Sequence, residues 1–159
     1  MRMRLAAIAA ALVLSSGIAI AQHHGHHDHS RQRAAPADLR ERVAFPPDLV
    51  EHTLANMRDH LLTLQQINEA LADGETDKAG RIAEQRLGMS SLRLHGAAEV
   101  AKFMPQGMQE AGTAMHKAAS RFAMEAQNAG VTGELKPALK ALGETLAACV
   151  GCHAAYRLK

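Results

Sequence analysis

The chain has 159 residues, a formal charge of +2, two cysteines, one tyrosine, three phenylalanines and no tryptophan. A charge this small gives a nucleic-acid partner no support. With so few aromatics the core of what should be one domain must be aliphatic.

Arg2 and Arg4 precede an apolar run from Leu5 to Ile20, which closes on Ala19-Ile20-Ala21 with small residues where a signal peptidase reads. This pattern predicts a secretory signal peptide over 1–21, too short to be a good membrane anchor, so no membrane span is expected in the mature chain. Loss of the two arginines lowers Lys+Arg from 18 to 16, level with the 16 acidic residues. Two cysteines in an exported chain fit the bacterial periplasm.

Residues 22–46 carry His23, His24, His26, His27 and His29, then Ser, Arg, Gln, Ala and Pro without an apolar period. The composition predicts a disordered arm. Cleavage after Ala21 would place His24 third, where the amine, two backbone amides and the imidazole could close a square-planar Cu(II) or Ni(II) site.

The domain is expected over 47–159. Asp48 and Glu51 read as a capping signal for a first helix, whose stripe of Val50, Leu54, Met57, Leu61, Leu64 and Leu71 ends near Asp73-Gly74. A second helix is predicted from Thr76 or Asp77 through Ile82, Met89 and Leu92 toward Phe103, stopped by Met104-Pro105-Gln106-Gly107. The third carries Met108, Ala111, Met115, Ala119, Phe122 and Ala126 and closes at Asn128-Ala129-Gly130. The fourth starts near Glu134, tolerates Pro137 in its first turn, and bears Leu135, Leu139, Leu142, Leu146, Cys149, His153 and Tyr156 on one stripe. No run reads as a strand.

That last stripe contains Cys149-Val150-Gly151-Cys152-His153. Two cysteines three apart followed by histidine form the attachment pattern of a c-type haem, in which both thiols add to vinyl groups and the imidazole ligates iron. On a helix, positions i, i+3 and i+4 leave one face together and can hold a flat macrocycle at three points. A thioredoxin-like pair needs a βαβ context that is absent. A zinc site needs a second ligand pair, and a disulfide here would close too short a loop to stabilise much.

An exported, all-α chain with C-x-x-C-H on its final helix, followed by Tyr156-Arg157, resembles the class II cytochromes c, the cytochrome c′-like family. The resemblance implies an antiparallel four-helix bundle with one covalently attached haem c per chain. It implies thioethers at Cys149 and Cys152, a proximal iron ligand at His153, and Arg157 in the haem pocket. Some members leave the distal position vacant and bind small gases such as NO and CO. Others fill it with a methionine from the first helix, which points to Met57, with His60 as the competing ligand. His95 and His116 read as surface or hydrogen-bonded side chains.

The expected function is periplasmic one-electron transfer to a redox partner protein, with a homodimer compatible with it. No triad, phosphate loop or acid–base pair suggests an enzyme. The alternatives are the gas binder and a copper-handling protein using the arm together with Met89, His95, Met104, Met108, Met115 and His116.

Overall fold

The structure, a computed structural model, describes residues 37–159. The signal segment, most of the histidine arm and His24 lie outside them. The described chain is mostly helical, with five α-helices and one short pair of strands.

Helix α1 spans Pro47–Ala72. Pro47 opens it because a first-turn residue has no intrahelical use for its N–H. Asp48 is not the cap the sequence suggested: the cap position is Pro46 and makes no side-chain bond, while Asp48 sits in the first turn against the positive end of the helix. Gly74, at φ +75°, ends the helix in the left-handed region, and Glu75 N–H returns to the Ala70 carbonyl at 2.8 Å.

Helix α2 spans Thr76–Arg86 and does not run on toward Phe103. The carboxylate of Glu84 reaches forward to accept from the Ser90 N–H at 3.1 Å and from the Ser120 hydroxyl at 2.6 Å. A side chain at Gly88 would collide with that carboxylate. The chain therefore turns through a 3-10 segment at Met89–Ser91. It turns again at Gly96, φ +60°, before the short α3, Ala97–Ala101.

Helix α4 covers Gln106–Thr132 and outlasts the expected stop at Gly130, closing on Gly133 at φ +77°. Helix α5 covers Lys136–Ala155, with Pro137 in its first turn. Tyr156 is extended rather than helical, so the predicted stripe ends before it.

The residues after α5 form β2, Tyr156–Leu158, which pairs in parallel with β1, Glu41–Val43. Neither strand was expected. The tail of the predicted arm is thus built into the domain, with Val43 and Phe45 buried.

The main seams run α1 to α2, α2 to α4 and α4 to α5. Their core is alanine-rich around Phe122, Ile67 and Leu87, so helices approach closely. A Cβ on Gly80 would stand 2.8 Å from the Ala123 carbonyl. A second cluster, Val43, Phe45, Val100 and Met108, packs with Cys152 and Tyr156 around the strands.

Two predicted stripes turn out rotated. On α1 the buried residues are Thr53, His60, Thr63, Ile67 and Ala70, whereas Leu61 is 69% exposed. On α5 they are Ala138, Ala141, Leu142 and Thr145, with Leu139 and Leu146 exposed. Small side chains let backbones close up, and the bulkier leucines are carried to the flanks.

Candidate functional site

A cavity of about 630 Å³ opens where α1 and the last turns of α5 face one another. Cofactor and ligand sites have volumes of this order. Cys149, Cys152 and His153 line it from α5, and Met57 and His60 line it from α1. Met104, Met108 and Met115 supply thioethers to its wall.

The helix delivers the motif as its spacing requires. Cys149 and Cys152 are both half-buried and are free thiols, not a disulfide. Burial, joined at Cys149 by its neighbour Cys152, raises both thiols above their ordinary range. At neutral pH both therefore rest as thiols. His153 is exposed at the cavity wall.

The end of α5 is braced by the segment before α1. Arg40 Nη1 donates to the His153 carbonyl at 3.4 Å. Asp38 accepts from Arg40 at 2.8 Å and lies 3.2 Å from Arg157 Nε. The Arg40 hydrogen bonds and the charge of Arg157 hold the Asp38 carboxyl below the usual carboxylate range. Arg157, Arg40 and Lys159 place cations along the cavity wall.

Met57 is half-buried on the wall, and His60 is buried with 9% exposure. His95 and His116, expected at the surface or hydrogen-bonded, are buried at 6% and 8% exposure and gather against His60. Ring centres are 4.6 Å apart for His60 and His95, 5.9 Å for His95 and His116, and 6.4 Å for His60 and His116.

The broken segment after α2 makes this meeting. It turns His95 inward, and α1 anchors it: the His95 carbonyl accepts from His52 Nε2 at 3.0 Å and from Asn56 Nδ2 at 2.9 Å. Gly96 fits under His52, whose Nε2 would lie 3.0 Å from an added Cβ. His116 Nδ1 donates to the Leu87 carbonyl at 2.7 Å, leaving Nε2 as its acceptor nitrogen. Burial first, then neighbouring imidazoles, lower His60 and His95 to about 4, so both are neutral at pH 7.

Three elements contribute one imidazole each, so no sequence spacing marks the cluster. Among the described residues no helix is long and apolar enough to cross a membrane. No family model, curated protein or solved structure matches the chain.

Proposed function

We propose that the chain is an exported, periplasmic haem c protein similar to the class II cytochromes c, in which α1, α2, α4 and α5 make a four-helix bundle for one-electron transfer. The observation that carries this reading is the meeting of two unpaired thiols and the following histidine on the wall of one large, mostly apolar cavity. That donor set fits a porphyrin: thiols for two thioethers, an imidazole for iron, and apolar side chains for the macrocycle. The arginines of the wall suit its carboxylates.

Haem supplies a one-electron iron couple when bound. The chain's own residues then hold and tune it. Cys149 and Cys152 would hold it through thioethers, and His153 from α5 and Met57 from α1 would supply the iron's protein ligands. Thioether with imidazole ligation would raise the potential relative to two imidazoles. Asp38 and Arg40 keep the last turn of α5 in place, and Met104, Met108 and Met115 add apolar thioethers to the wall.

The test is expression with the haem-attachment machinery, followed by spectra and a haem stain after denaturation. Wild type should retain haem, and Cys149→Ala with Cys152→Ala should lose it. The ferric protein should be low-spin with a weak sulfur-to-iron band at the red end of the spectrum, which Met57→Ala removes. A wild type without covalent haem overturns the reading. A high-spin wild type that takes up carbon monoxide quickly replaces electron transfer with gas binding.

A further inference from the structure

The imidazoles of His60, His95 and His116 sit among polar atoms at an unusual separation. His60 Nε2 and His95 Nδ1 are 3.5 Å apart, and Ser91 Oγ is 3.5 Å from Nδ1 of both His95 and His116. Good hydrogen bonds to nitrogen are about 2.7–3.2 Å. Ser91 instead spends its proton on the Gly88 carbonyl at 2.7 Å. The separation does match ligands around an ion. Two nitrogens each about 2.0 Å from one metal stand about 3.3 Å apart in a tetrahedron and about 3.5 Å apart in a trigonal plane.

A second observation concerns the far side of His95. Its Nε2 is buried and without a hydrogen-bond partner. It lies 4.0 Å from the Asp59 carboxylate. A ligating imidazole commonly directs its other N–H to a carboxylate, which fixes the tautomer. With Nδ1 on a metal, Nε2 must carry the proton, and Asp59 is the acceptor it faces.

We infer that His60 Nε2 and His95 Nδ1 form the preorganised half of a Cu(I) site, closed by His116 Nε2. Among the described residues no group of three ligands is already in place. The Leu87 carbonyl holds His116 Nδ1, which leaves Nε2 as the nitrogen that would close the site. Copper(I) is the ion the surroundings suit. The nitrogen ligands are imidazoles, Met108 and Met115 line the same cavity with soft thioethers, and the Asp59 carboxylate is already paired with Arg86. A divalent ion would bring twice the charge into the same apolar wall with no anionic ligand.

The site does not rest on the haem reading, since copper and iron are counted separately. The experiment uses the full chain with His23, His24, His26, His27 and His29 replaced by alanine, so that the arm contributes no imidazole. Reduced, oxygen-free protein is given Cu(I) in competition with bicinchoninate, and copper and iron are measured after desalting. One copper per chain is expected, with affinity at least tenfold weaker in His60→Gln and in His95→Gln. Absorption at the copper edge of the unsubstituted site should show imidazole nitrogens at about 2.0 Å. That readout stands even where a variant fails to fold. No retained copper, a copper shell without imidazole, tighter binding of zinc at these residues, or unchanged affinity in His95→Gln overturns the site. So does an iron spectrum of two imidazoles that assigns His60 to the haem.

Discussion

Gly80→Ala tests the tightest helix contact in the fold. In an ordinary exposed helix the change stabilises by about 1 kcal/mol, because alanine has less backbone freedom to lose. At Gly80 the new methyl would stand 2.8 Å from the backbone carbonyl of Ala123 and 3.5 Å from Ala126 Cβ. The carbonyl belongs to α4 and cannot turn away alone, so α2 and α4 must part by a few tenths of an ångström. That loosens contacts of Ala79, Ala83 and Ala126, all fully buried. Overpacking of this kind costs about 1–3 kcal/mol, which leaves a net loss of about 1 kcal/mol after the propensity gain. Gly143 is the control, since nothing lies within 4 Å of an added Cβ there. Gly143→Ala should gain about 0.5–1 kcal/mol. Urea unfolding of the two variants should shift the midpoints in opposite directions at unchanged slope. A Gly80→Ala protein as stable as wild type would refute the close α2–α4 approach.

Three further outcomes are expected. Phe122 is fully buried in the alanine-rich core, so Phe122→Ala should cost about 3–5 kcal/mol in the same urea assay. His60 and His95 fall from 6.5 to about 4 through burial and then through the neighbouring imidazoles, with Arg86 also facing His95. The unfolded chain therefore binds their protons first: stability is fully present above pH 6.5 and declines as pH falls toward 4, and a pH series of urea midpoints that stays flat there would contradict the buried cluster. Finally, on the proposed haem reading, Cys149→Ala with Cys152→Ala should leave the 630 Å³ cavity without a covalently held group and give a protease-sensitive, less cooperative chain; unfolding as sharp as wild type would show the core complete by itself.

What could be read from the sequence was what short stretches decide alone. Gly74 ends a helix because a left-handed residue is a local event, and the Cys149, Cys152 and His153 spacing fixes its own geometry on a helix. The break after Arg86 was hidden because it depends on Glu84 reaching Ser120 on another helix. The strand pair was hidden as well: three residues are too few to show an alternating pattern, and their partners are far away in the chain. Rotated faces on α1 and α5 follow from close packing of alanine and threonine, which a hydrophobic period undervalues. His95 carried no sign of its place, since only the turn at Gly96 brings it to His60.

The parallel pairing of Glu41–Val43 with Tyr156–Leu158 joins segments separated by all five helices. Closing a chain loop of some 115 residues costs about 4 kcal/mol, more than so short a ladder returns, so the pair forms only after the helices have brought its ends together. The order runs backward on opening. Strand amides should exchange with solvent ahead of the helical core, and each such opening releases Arg40, Leu158 and Lys159 from the cavity wall. A guest of the cavity would thus gain a route inward that leaves α2, α4 and their alanine seam folded.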